Sequence, residues 1–128
     1  MKFLLDTHLL LWAASQPEKL SKQAQELIAH PDSELFFSAA SLWEISIKQS
    51  LGRADFDVNA RVLRRGLLDN GYSELSITVV HALAVEVLPG MHKDPFDRML
   101  LAQADAEGIT LLTSDKVVGQ YSGSVRLI

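Results

Sequence analysis

Four acidic residues, Asp6, Glu44, Asp97 and Asp115, stand where carboxylates can do chemistry. Asp6 closes the apolar run FLL, and Asp115 follows TLLTS. Glu44 lies in SAASLWEISIKQS and Asp97 in HKDPFDRMLLAQADAEG. Each has a plainer reading beside the chemical one. Asp6 precedes a helix-like stretch and suits an N-cap. Glu44 has capping-box spacing from Ser41, and an i,i+4 step to Lys48 suits a surface ion pair. Asp94 is a natural N-cap with Pro95 behind it, so Asp97 falls in a first turn, where the helix dipole favours an acid. Asp115 suits a turn.

The four carry more together than singly. At about 100° per residue, Ala39, Ala40, Trp43, Ile47 and Leu51 form one helical stripe, with Glu44 at its edge. Asp97 shares a face with Phe96, Leu100, Leu101 and Ala104, so it is expected to turn inward at the start of its helix. Two acids at strand ends and two on inner helix faces can meet at one sheet edge. Clustered carboxylates repel one another and lose solvation, which divalent cations relieve. All-oxygen ligands favour Mg2+ or Mn2+ over zinc. Such a centre suits hydrolysis of phosphodiesters by a metal-activated water.

The elements that must hold these groups alternate along the chain. Strands are expected at KFLLD, ELFFS, YSELSI, ITLLTSD and SVRLI. Helices are expected over residues 7–15, 21–30, 39–50, 59–70, 78–88 and 95–107, with Gly52, Gly71, Pro89 and Gly108 as stops. Alternation of this kind predicts an α/β fold with a parallel sheet covered on both faces. The strands read as continuous apolar runs, as doubly buried strands do. Reactive groups in such folds gather outside the carboxyl ends of the strands.

Composition bounds the rest. The 128 residues fit one domain, 1–128, and the 48% apolar share can fill a core. The absence of cysteine excludes disulfides, thiolate metal sites and cysteine nucleophiles, and it suits a cytoplasmic protein. Apolar runs fall well short of the roughly 20 residues of a membrane span. Asp6 and His8 interrupt a start that otherwise looks like a signal peptide. The net charge of −4 argues against bulk electrostatic attraction to nucleic acid, so any such contact must be local.

FLLDTHLLLW, SLWEI, HKDPFDRMLLAQA and LLTSD, in this order, resemble the PIN-domain family, and within it the branch of VapC-like toxins that carries an H-x-DPFDR segment. The resemblance spans essentially the whole chain. It implies a three-layer α/β/α sandwich around a parallel sheet of about five strands. It also implies a Mg2+- or Mn2+-dependent endoribonuclease acting on RNA. Asp6, Glu44, Asp97 and Asp115 would form the catalytic and metal-binding set, with Asp6 and Asp97 the foremost ligands. Thr113 or Ser114 would support Asp115 or a water. A small antitoxin and a homodimer are the implied partners. His92 and Asp94 belong to the H-x-DP segment, which many members of the family lack.

Several further residues have two readings. His8, His92 and Arg98 are possible substrate contacts; helix packing, a plain loop histidine and a surface arginine are the respective alternatives. Arg61, Arg64 and Arg65 suit a solvated helix face better than a phosphate contact. Trp12 and Trp43 are expected in the core rather than as stacking platforms. A receiver-like phosphoaspartyl domain needs a lysine near the carboxyl edge of its last strand, and no such loop follows SVRLI; a haloacid-dehalogenase-type phosphatase needs D-x-D-x-T after the first strand, where this chain has DTHLL. The remaining alternative is a PIN-like RNA-binding or interaction module without catalysis, in which the acids serve as caps.

Overall fold

Five parallel strands run in the order β3-β2-β1-β4-β5 in a computed structural model that describes residues 1–90 and 92–128. They are β1 (Lys2–Leu5), β2 (Glu34–Ser38), β3 (Ser73–Leu75), β4 (Thr110–Thr113) and β5 (Val125–Leu127). The helices are α1 (Thr7–Ser15), α2 (Lys22–Ala29), α3 (Ala39–Ser50), α4 (Ala60–Asp69), α5 (Val79–Ala84) and α6 (Pro95–Glu107). Short 3-10 turns fill residues 17–19, 54–56, 85–87 and 118–120.

The pleat of the central strands divides the core in two. Phe3 and Leu5 of β1 and Leu112 of β4 pack with Leu9, Leu10, Leu63 and Leu67 of α1 and α4. Leu4 and Leu111 point to the other face and pack with Leu100, Leu101 and Ala104 of α6. Side chains that alternate across a strand produce this split, and it makes the molecule a three-layer α/β/α sandwich. The sheet grows outward from β1 through β2 to β3, and the chain then returns to build β4 and β5 on the other side. The strand order therefore reverses between β1 and β4, which pair with Leu5 beside Leu112. Their carboxyl ends open a crevice at that switch point.

Local sequence explains the element boundaries. Asp94 caps α6 by accepting from the Phe96 and Asp97 N–H groups, with Pro95 at the first helical position. Gly108 ends α6 at φ +66°, a left-handed conformation that costs glycine least. The helix expected over 78–88 is shorter than its pattern. It is α-helical only to Ala84 and then tightens into a 3-10 turn, because Pro89 disfavours helical backbone at Leu88 before it.

Two expectations about α3 need correction. The stripe through Trp43 and Leu51 is not the buried one: Trp43 is 60% exposed and Leu51 73%. The buried face is instead Ala40, Ser41, Glu44 and Ile45. The expected stripe followed the apolar residues, with Glu44 only at its edge, whereas here hydrogen bonds with Thr7 compensate the burial of Ser41 and Glu44. Ser38, not a residue of the Ser41–Glu44 pair, caps this helix. Trp12 is only half-buried, against the core. Among the described residues, no helix is long and apolar enough to cross a membrane.

Candidate metal centre

Asp6 leaves the end of β1 with its backbone N–H donating to Leu112 O of β4, 3.0 Å away. Its Oδ1 caps α1 by accepting from the Leu9 N–H at 2.9 Å. Its Oδ2 accepts from the Thr113 hydroxyl at 2.6 Å. Capping and membership of the crevice thus coexist in one side chain. Burial raises the Asp6 pKa above the usual carboxylate range, and the Thr113 and Leu9 hydrogen bonds pull the other way.

Thr113 is fully buried at the end of β4. Its single hydroxyl donates to Asp6 and accepts the Asp115 N–H at 3.0 Å. One side chain therefore ties the two strand-end acids together. Asp115 is held again through Oδ1, which accepts from the Val117 and Val118 N–H groups and opens the 3-10 turn. Ser114 contributes through its backbone, which helps to hold the Asp6 pKa down against the larger effect of burial.

Glu44 is buried on α3, and both its oxygens have partners. Oε1 accepts from the Thr7 hydroxyl at 2.7 Å, and Oε2 accepts from Lys48 Nζ at 2.5 Å. The i,i+4 pair foreseen for the surface exists, but with Glu44 buried and Lys48 largely covered. The Lys48 ammonium also lies 4.7 Å from the Phe56 ring centroid and 5.9 Å from that of Phe96.

Asp97 lies in the first turn of α6, with His92 Nε2 2.6 Å from its Oδ2. Its pKa is pushed up to about 6, chiefly by burial, with the charges of Asp94 and Glu44 adding to the rise and His92 opposing it. Ligand atoms of His92, Asp97 and Asp115 all lie within 4.8 Å of one another. This convergence brings α6, the loop before it and the end of β4 to one point. Asp6 stands behind it through Thr113, and Glu44 is near enough for its charge to act on Asp97. Two carboxylates and an imidazole form a donor set that suits a divalent cation, since hard oxygens dominate it.

The other candidates are placed as follows. His8 is on the surface of α1, 3.6 Å from Asp55 and edge-on to Phe56. Arg98 is not a free surface cation. Its guanidinium donates to the carbonyls of Pro89, His92 and Val85, so it is committed to the loop before α6. Arg64 pairs with Glu74, while Arg61 and Arg65 face solvent. Sequence reasoning overlooked Thr7, Tyr121 and the aromatic seat of Lys48. Only Thr7 carried a signal, because a polar residue directly after a strand-end acid points into the same crevice.

A three-layer sandwich with acids gathered at its switch point defines a class of small α/β proteins with a cation-ready crevice. The PIN domain family model matches residues 3–123, and the chain belongs to that family. It is 29% identical over 113 residues to Ribonuclease VapC22 of Mycobacterium tuberculosis, covering 88% of this chain and 86% of that protein. Its fold is similar to that of VapBC2 from Rickettsia felis bound to a DNA fragment from their promoter. That match has a TM-score of 0.74 at 13% identity and covers 100% of this chain and 99% of the other. It is also similar to a chain of a toxin–antitoxin complex from Klebsiella pneumoniae, with a TM-score of 0.64, 19% identity and coverage of 96% and 94%.

Proposed function

We propose that this protein is a divalent-cation-dependent endoribonuclease and the toxin of a toxin–antitoxin pair, acting in the cytoplasm. The observation that carries the reading is the convergence of Asp97 and Asp115 beside the Thr113-bridged Asp6. Membership of the PIN family and the likeness to a ribonuclease support it. Asp97 and Asp115 would hold Mg2+ or Mn2+, with Asp6 and Glu44 completing the acidic field. A cation bound there supplies charge neutralisation at the scissile phosphodiester and makes water a better nucleophile near neutral pH.

The chain's own residues have distinct parts in this reading. Thr113 fixes the spacing of Asp6 and Asp115, so the pocket is organised before substrate arrives. Thr7 and Lys48 hold Glu44 at both oxygens, which keeps it oriented without a cation. Lys48 keeps hydrogen-bonding capacity beyond its bond to Glu44 and places positive charge at the rim of an acidic crevice. RNA could use that charge despite the net charge of −4. The antitoxin partner is inferred from the relatives. A homodimer would use the apolar side chains that α5 leaves in solvent.

The test is cleavage of labelled RNA by purified protein with Mg2+ or Mn2+ added after chelation. Asp97→Asn should abolish cleavage while the protein still melts cooperatively. A variant that cuts RNA as fast as the parent would show that the centre lies elsewhere. Growth arrest on expression should be relieved by the same substitution, which separates a toxin from a harmless nuclease.

A further inference from the structure

His92 is held more firmly than a connecting loop requires. Its N–H donates to the Tyr121 hydroxyl at 2.8 Å, and its carbonyl accepts from Arg98 Nη1 at 3.2 Å. Tyr121 is buried in the core beneath α6, and its hydroxyl donates in turn to Pro89 O at 3.0 Å. Arg98 stands one residue beyond Asp97 and binds the carbonyls of Val85 and Pro89 as well. The residue is therefore fixed at both its N–H and its carbonyl by two separate elements. The consequence is positional: Nε2 is delivered to Asp97 Oδ2, and it falls within the same 4.8 Å grouping as Asp115.

We propose that His92 is a nitrogen ligand of the divalent cation at the Asp97–Asp115 site, and that its imidazole makes the site prefer Mn2+ to Mg2+. The inference rests on the reading that this site binds a divalent cation. Neutral imidazole offers Nε2 as a metal donor. Mg2+ demands near-octahedral oxygen coordination and gives up water reluctantly. Mn2+ also favours oxygen, but as a larger transition-metal ion it takes an imidazole nitrogen into its shell more readily than Mg2+ does. Reading the acids alone gave an all-oxygen set with no preference between the two ions. The pinned histidine changes that. Arg98 and Tyr121 become positioning residues that set the imidazole in place. A hydrogen bond that only steers Asp97 would leave nitrogen out of the coordination shell, and this difference is spectroscopically visible.

The test uses full-length protein stripped of metal and titrated with MnCl2 or MgCl2 by calorimetry. Pulsed EPR is then recorded on the Mn2+ form. The parent should bind Mn2+ more tightly than Mg2+ and show modulation from a directly bound 14N nucleus that changes on 15N-histidine labelling. His92→Gln should lose that modulation. It should bind Mn2+ more than about a hundredfold more weakly, beyond the roughly ten- to hundredfold that loss of a mere hydrogen-bonding partner of a ligand costs, and Mg2+ only a few-fold more weakly. Stoichiometric Mn2+ without nitrogen coupling in the parent overturns the assignment, as does an equal loss for both ions in the variant. The EPR experiment on the parent decides the matter even if the variant folds poorly. A parent with nitrogen coupling that cleaves no RNA keeps the His92 assignment and sinks the nuclease reading; cleavage without coupling does the opposite.

Discussion

At the scale of single residues, the site trades stability for charge. Burial raises the Asp97 pKa from 3.8 to about 6, so the folded state binds this proton more tightly than the unfolded chain does. Stability from the protonated acid is complete below pH 3.8 and is lost as pH rises through about 6. A shift of about 2 units corresponds to on the order of 3 kcal/mol. Asp97→Asn should therefore be more stable than the metal-free parent at pH 7.5, by up to about 3 kcal/mol, with the gap shrinking toward pH 4. Urea titrations in chelator at both pH values measure it, and a gap independent of pH would contradict the shift. Thr113→Val goes the other way. It leaves a buried Asp6 oxygen and the Asp115 N–H without their partner, at a cost of about 1–3 kcal/mol in the same titration. RNA cleavage should fall further than stability alone explains, because the bridge between two acids is gone.

At the scale of elements, most of the site's scaffolding could be read from the chain, and one helix face could not. The strand that ends at Asp6, the strand that ends before Asp115 and the Asp94–Pro95 start of α6 follow from local rules: apolar runs, caps and a proline at the first turn. The inner face of α3 did not, because Ser41 and Glu44 are buried through partners distant in sequence, Thr7 above all. Hydropathy cannot register a hydrogen bond across 37 residues. The loop before α6 was opaque for the same reason. Arg98 and Tyr121 organise it from outside, and a lone arginine or tyrosine in a sequence gives no hint of which carbonyls it will meet. Arg98→Ala should loosen this loop and leave α6 formed. Amide exchange over residues 85–88, at Gly90 and at His92 should quicken while protection in β1 and β4 stays as in the parent. If exchange in the loop is unchanged, Arg98 is not its clamp.

At the scale of the whole molecule, the acidic crevice and the apolar surface are separate features with separate uses. Part of the chain's acid stands at the crevice, where Asp97 and Asp115 meet His92. One apolar patch lies on α5 and the turn after it, where Val79, Val80, Leu83 and Val87 are each more than 60% exposed. His81 in this segment turns inward and pairs with Glu107, so α5 is anchored by a polar contact, and its apolar side chains are left outward. Glu86 is the one acid between Val79 and Val87, and no lysine or arginine accompanies it. A partner for this face needs little charge complementarity, and a second copy of the same face meets that condition with twofold symmetry. Sedimentation of the parent should therefore show a dimer. Leu83→Glu should shift it to monomer with an unchanged melting curve below the dimer's dissociation constant, since the side chain is already in solvent and supports no core contact. A parent that sediments as a monomer at tens of micromolar would rule out self-association through α5 as a stable state, because that concentration range already exceeds the about 1 μM dissociation constant corresponding to −8.2 kcal/mol.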